Sequence, residues 1–260
     1  MSHRPRKRFG QHFLHDPGTI DRIIRAIDPQ PGQRLVEIGP GLGAITVPLL
    51  SAVGEMDAIE IDRDAIRALD ATCRPYGTLR LHEGDALEFD LGALRDGGDR
   101  LRVVGNLPYN ISTPLIFHLI DQREHILDMH FMLQKEVVDR MCAAPGDDAY
   151  GRLTVMLAPW VTVTPLFDIG RGAFRPPPKV VSTFFRMVPR DESPFPMTAP
   201  DEYARIVAAA FAQRRKTLRN ALKALLTADQ IDSAGIDPGL RAEVVTPEGY
   251  ARLASVLAEQ

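Results

Sequence analysis

Asn106-Leu107-Pro108-Tyr109-Asn110 groups the side chains in this sequence best suited to handling a flat, neutral nitrogen base. Asn106 offers a neutral carbonyl as acceptor. Leu107 offers a backbone carbonyl held rigid by Pro108, because a residue that precedes proline is confined to extended conformations. Tyr109 adds an aromatic face, and Asn110 tolerates an unusual turn conformation. Two acceptors and a ring suit the exocyclic amino group of a stacked base. An ordinary strand-to-helix turn, with Ser112 or Thr113 capping a helix that starts at Pro114, would use the same residues. The choice between these readings rests on what lies upstream.

A second group with chemical potential is Gly39-Pro40-Gly41-Leu42-Gly43, with Glu37 just before it and Glu60 twenty-one residues beyond Gly39. Glycines let a ligand approach the backbone, and an acid at a strand end binds ribose hydroxyls. The spacing is G-x-G-x-G, not the G-x-G-x-x-G of a dinucleotide pyrophosphate site. Glu37 is badly placed for phosphate and well placed for a cation. Asp85, in Glu83-Gly84-Asp85-Ala86, is a third acid after a strand and can accept from an adenine amino group. Three acids at successive strand ends suit S-adenosylmethionine, which carries a sulfonium, an amino group and a ribose diol.

The elements that must position these groups are strands. Arg34–Gly39, Met56–Ile61, Leu79–His82 and Leu101–Val104 are apolar runs, each followed by one of the candidate groups. Helical stretches separate them, so the pattern predicts a parallel sheet with ligands at its carboxyl edge. A helix is expected at about 17–27 and another at 114–121. Further on, a strand is expected at 127–133, a helix at 134–143 and two late strands at about 161–167 and 181–187. Pro176-Pro177-Pro178, before Lys179, predicts a fixed surface loop.

Phe9-Gly-Gln-His-Phe-Leu14, Glu37-Ile-Gly-Pro-Gly-Leu-Gly43, Glu60, Gly84-Asp85-Ala86, Asn106-Leu-Pro-Tyr109 and Phe174-Arg-Pro-Pro-Pro-Lys-Val180 occur in that order. Together they resemble the ribosomal RNA adenine N6-dimethyltransferases, in particular the bacterial type that modifies 16S rRNA of the small ribosomal subunit. The resemblance spans about 9–225. It implies a Rossmann-like, S-adenosylmethionine-dependent methyltransferase sheet followed by a small all-helical carboxy-terminal domain. It implies His12, Leu14, Gly39, Glu60, Asp85 and Asn106 around the cofactor, His12 standing where relatives often have Asn. The catalytic group would be Asn106, the Leu107 carbonyl, Tyr109 and Phe174. Phe174 is read as a second ring sandwiching the target base opposite Tyr109, the alternative being a core anchor. The implied reaction places two methyl groups on N6 of each of two adjacent adenosines in the 3′-terminal hairpin of 16S rRNA, late in small-subunit biogenesis.

Composition sets the remaining expectations. The chain has 260 residues, 45% hydrophobic and 25% charged, an ordinary globular balance. Its net charge of −3 means that RNA must be met by local basic patches. No apolar run is long enough to span a membrane. Cys73 and Cys142 make no disulfide framework, so a reducing cytoplasm is expected, and the chain is expected to act as a monomer. His12 and His15 have no third ligand, and no metal is expected. The expected domains are 1–190, with a basic tail at 1–8, a proline-marked linker at 191–200, and helices at 201–260. Within Gln213–Lys223 a helix would place Arg215, Arg219 and Lys223 on one face, a phosphate-binding pattern. Three rivals remain: the large-subunit (23S) rRNA methyltransferases of the macrolide-resistance type, a DNA adenine methyltransferase, and an assembly factor whose binding outweighs its catalysis.

Overall fold

The computed structural model describes residues 12–95, 97–213 and 215–260. The basic tail, Phe9-Gly10-Gln11 and Arg214 lie outside the described residues. The chain divides into two compact units, Met1–Val138 with Val163–Pro189, and Asp139–Thr162 with Arg190–Gln260.

The first unit opens with a two-residue strand, β1 (Phe13–Leu14), and helix α1 (Pro17–Ile27). Asp16 caps α1 by accepting from the Thr19 backbone N–H at 2.8 Å, and Pro17 supplies the fixed φ that suits a first turn. Alternating elements follow: β2 (Leu35–Ile38), α2 (Thr46–Val53), β3 (Glu55–Glu60), α3 (Arg63–Cys73), β4 (Thr78–Glu83), the short α4 (Gly92–Arg95), β5 (Leu101–Asn106), α5 (Ser112–Asp121), β6 (Ile126–Gln134) and α6 (Lys135–Cys142). After α7 (Arg152–Leu157) come β7 (Val161–Ile169), β8 (Phe174–Arg175) and β9 (Ser182–Pro189).

Seven strands form one sheet in the order β4-β3-β2-β5-β6-β9-β7, and β2 through β6 pair in parallel. All four residues of β2 and the first five of β5 are buried, as expected of central strands covered on both faces. Order reverses at β2, with β3 on one side and β5 on the other, so the crevice between their carboxyl ends is a topological switch point. Ile23 and Ile27 of α1, Leu49 and Leu50 of α2, and Leu69 of α3 fill one side of the sheet. At the amino end of β5 the Arg102 guanidinium is buried. It donates to Asp128 at 2.9 Å, to the Ile27 carbonyl at 2.7 Å and to Gln33 at 2.8 Å, anchoring the strand at the end remote from Asn106.

The second unit holds α7 and four later helices: α8 (Pro200–Phe211), α9 (Leu218–Ala221), α10 (Ala228–Ser233) and α11 (Pro247–Ala258). Its core is built from Tyr203, Ile206 and Val207 of α8 with Tyr250, Leu253 and Ala254 of α11.

Several expectations need correction. The first unit does not run continuously to 190. Tyr150 and Val155 belong to the helical core, so 139–162 group with the second unit. The expected linker 191–200 is part of that unit too, with Phe195, Met197 and Ala199 packed against its core. The basic stretch is not one helix. Thr217 is extended (φ −71°, ψ 159°) and bridges to Arg241, while Leu218 N–H donates to Leu240 O at 2.7 Å and Arg219 N–H to Pro238 O at 3.0 Å. These bonds replace the intrahelical ones and break the helix, so Arg215 lies in a turn, apart from Arg219 on α9 and Lys223 beyond it. All three are exposed. Helix α5 begins at Ser112 rather than Pro114, and no side chain caps it. The Ser112 hydroxyl turns back to donate to the Tyr109 carbonyl at 3.1 Å. Among described non-glycine residues only Asp28 has positive φ, so Asn110 does not use the conformation expected of it.

Candidate active site

A cavity of about 610 Å³ opens at the carboxyl ends of β2–β5 and is also lined by β1, Arg175, Pro176 and Phe184. Its wall includes His12, Leu14, Gly39, Glu60, Asp85, Asn106, Leu107 and Tyr109, so segments far apart in sequence meet there. The amino-terminal segment arrives through pairing that periodicity did not reveal. Phe13 and Leu14 pair antiparallel with Arg175 and Phe174, and His15 N–H donates to Ala173 O at 2.9 Å.

One end of the cavity is acidic. Gly39 has φ +67°, a conformation that side-chain-bearing residues rarely adopt, and the space a Cβ would occupy is empty. The backbone is therefore open to a ligand at that point. Glu60 Oε1 accepts from the backbone N–H groups of Ile61 (3.0 Å) and Asp62 (2.9 Å), and Oε2 accepts from Gly41 N–H at 3.3 Å. This fixes the carboxylate at the end of β3, although burial still raises its pKa. Asp85 Oδ1 accepts from Leu87 N–H at 2.9 Å, which orients Oδ2 as the remaining acceptor. Glu37 is 1% exposed, and its Oε2 has no hydrogen-bond partner. Burial, joined by repulsion from Glu60, pushes its pKa up to about 8. The neighbouring Thr46 hydroxyl acts the other way and only partly offsets this.

The other end is neutral and polar. A side chain at Gly105 would meet the Ile38 carbonyl at 2.6 Å, so glycine lets β5 close on β2 just before Asn106. Asn106 Nδ2 donates to the His12 carbonyl at 3.0 Å. Because the partner can only accept, this bond settles which way the amide faces and leaves Oδ1 as the acceptor. In the same turn, Pro108 O accepts from Ile111 N–H and Tyr109 O accepts from Ser112. Leu107 O takes no backbone bond among the described residues, so it is the second open acceptor. His12 Nδ1 meets the Pro176 carbonyl at 2.8 Å, which requires the proton on Nδ1. The His12 and Tyr109 rings lie 5.8 Å apart, tilted by 31°. The Tyr109 hydroxyl meets Ser182 Oγ at 2.8 Å.

Phe174 is not in this wall. It is 2% exposed and packs in the core with Ala173, Ile169 and Phe184, so this structure supports the core-anchor reading over the second ring. Strand pairing with Leu14 turns it inward and leaves Arg175 and Pro176 to line the cavity. Sequence reasoning also missed Ser182 and the Pro176 carbonyl. Ser182 opens strand β9 and is 0% exposed, a burial that its residue type does not announce. Among the described residues, no group of histidines, cysteines and acids could hold a metal ion.

The parallel sheet, the open glycine turn and the unpartnered buried carboxyl of Glu37 fit S-adenosylmethionine, and they define an S-adenosylmethionine-dependent methyltransferase. The family model for ribosomal RNA adenine dimethylase matches residues 2–259. The chain is 55% identical to ribosomal RNA small subunit methyltransferase A of Methylococcus capsulatus, covering 99% of both chains. It is 53% identical to the protein of that name from Pseudomonas aeruginosa, covering 99% of this chain and 96% of the relative. A crystal structure of a dimethyladenosine transferase from Plasmodium falciparum superposes with a TM-score of 0.79 at 29% identity, covering 93% of this chain and 96% of that one. The fold is shared with the 23S rRNA methyltransferase ErmE, at a TM-score of 0.73 and 24% identity over 95% of this chain and 99% of that one. This chain belongs to the ribosomal RNA adenine dimethylase family.

Proposed function

We propose that the enzyme dimethylates N6 of two adjacent adenosines in the 3′-terminal hairpin of 16S rRNA, acting on the small subunit late in its biogenesis. The observation that carries the chemistry is the committed amide of Asn106: with Nδ2 bound to His12 O, only an acceptor faces the incoming amine. The names of the full-length relatives support the small-subunit substrate. The expected setting is a cytoplasmic monomer. No described helix is long and apolar enough to cross a membrane.

When bound, S-adenosylmethionine supplies an electrophilic methyl group on a sulfonium. Glu37 would face its cationic part, Glu60 its ribose hydroxyls and Asp85 the amino group of its adenine. Asn106 Oδ1 and Leu107 O would each take one N–H of the adenine amine. That pulls the nitrogen out of conjugation with the ring and aims its lone pair at the methyl group. Tyr109 supplies a face for the base to stack on. No strong base is required before attack, because the methylated amine sheds its proton readily afterwards. Positioning and fixed dipoles therefore supply most of the acceleration. Arg215, Arg219 and Lys223, exposed and of one sign, are assigned to phosphate contacts.

The test is incubation of unmethylated small subunits and, separately, large subunits with labelled cofactor, followed by mapping of modified bases. Label on two adjacent adenosines of 16S rRNA is expected. Label confined to 23S rRNA would replace this reading with the large-subunit one, and stable association without label would favour an assembly role.

A further inference from the structure

We propose that Ser182 is a positioning residue for the transfer step, holding the Tyr109 ring as a fixed wall through the tyrosine hydroxyl. This rests on the reading that Tyr109 forms one face of the adenine pocket.

Tyr109 sits on a turn, where its side chain would otherwise choose among staggered rotamers. Its hydroxyl is 2.8 Å from Ser182 Oγ, a residue 73 positions away. Ser182 is completely buried and lies in register with Gln134 of β6, so its backbone belongs to the sheet ladder. The hydrogen bond therefore refers the ring to the sheet rather than to the turn that carries it. Burial raises the Tyr109 pKa and keeps the hydroxyl protonated at neutral pH. The His12 ring, itself tied to Pro176 O, lies 5.8 Å from the tyrosine ring as a second fixed neighbour. Among the described residues the Ser182 hydroxyl bonds to Tyr109 alone. With its hydroxyl engaged in this way, Tyr109 contributes a ring face and no proton.

The experiment measures single-turnover methyl transfer to unmethylated small subunits, the Michaelis constant for subunits, cofactor affinity and melting temperature. The variants are Ser182→Ala, Ser182→Thr, Tyr109→Phe, the double variant Ser182→Ala/Tyr109→Phe, and Tyr109→Ala. Loss of one neutral hydrogen bond should slow transfer by about three- to ten-fold in Ser182→Ala. Subunit affinity, dominated by phosphate contacts, and cofactor affinity should not change. Tyr109→Phe should match it, the double variant should be no slower than the slower single, and Ser182→Thr should recover the rate. Wild-type transfer by Ser182→Ala beside a slow Tyr109→Ala would overturn the latch while sparing the pocket reading. Wild-type transfer by Tyr109→Ala would overturn both. Losses that multiply in the double variant, or that track a fall in cofactor affinity and melting temperature, would make Ser182 a structural residue only.

Discussion

The two ends of the cavity solve opposite problems. At the acidic end, carboxyl groups are held close to the backbone: Glu60 accepts three N–H bonds, and Glu37 is buried with a free oxygen. A carboxyl stripped of water is costly in isolation but becomes a strong partner once a cation arrives. At the neutral end no charge is used. Asn106, His12 and Tyr109 are each fixed by one hydrogen bond to a distant segment, and what remains exposed is a carbonyl oxygen or a ring face. A cation can be gripped by a few local residues, whereas a neutral amine that must be turned and aimed needs a frame assembled from the whole unit.

Removal of the support common to both ends should have the largest effect. Phe174→Ala deletes a buried ring beside β1 and is expected to cost about 3–5 kcal/mol of stability. Thermal unfolding should show a lowered melting temperature, with cofactor binding and transfer failing together. A stable Phe174→Ala with intact cofactor binding and slow transfer would return the ring to the base pocket.

Next come the acids. Glu60→Ala and Asp85→Ala should each weaken cofactor binding by about 1–3 kcal/mol, the size of a lost charge-assisted hydrogen bond. Calorimetry showing unchanged affinity in both would remove them from the site.

Glu37 gives the comparison a pH signature. Its pKa is about 8 in the free protein against an ordinary 4.5, so the folded state keeps a proton that the unfolded state has lost. Stability should therefore fall as pH rises from about 4.5 to 8, and Glu37→Gln should melt higher than wild type near pH 8. A bound cation lowers that pKa again. Cofactor affinity should then rise with pH up to about 8 and level off above it, with proton release near neutral pH. Titration calorimetry in buffers of different ionisation enthalpy measures that release. If Glu37→Gln releases as many protons as wild type, another group is responsible.

The smallest effect concerns the helical unit. Replacing Arg215, Arg219 and Lys223 together should weaken subunit binding and flatten its salt dependence by roughly one unit of slope per lost phosphate contact. Cofactor affinity should be untouched. An unchanged slope would mean that these side chains are merely solvated.

The same contrast decided what could be read from the sequence. The acidic end was legible because its residues sit at strand ends with regular spacing, and the sheet turns that spacing into proximity. Asn106, Leu107 and Tyr109 were legible as types, since a polar turn with a proline after an apolar run has few uses. Their supports were not. The β1–β8 pair is two residues long, and the Tyr109–Ser182 bond joins segments 73 residues apart, so neither leaves a periodic trace. Residue type alone did not place Phe174, because strand pairing decides which way it faces. The basic stretch was misjudged because Thr217 is extended and the next two backbone N–H groups, of Leu218 and Arg219, donate to Leu240 and Pro238, which no local pattern encodes.

Single-turnover transfer at saturating cofactor, with Glu60→Ala and Asn106→Ala side by side, tests most directly whether the two ends do separate work. Once cofactor is forced onto the protein, Glu60→Ala should transfer within several-fold of wild type. Asn106→Ala should be slower by about 10²–10³, the loss expected for one preorganised polar contact. Folded Asn106→Ala transferring at the wild-type rate, or both variants slowing alike at saturation, would contradict the account.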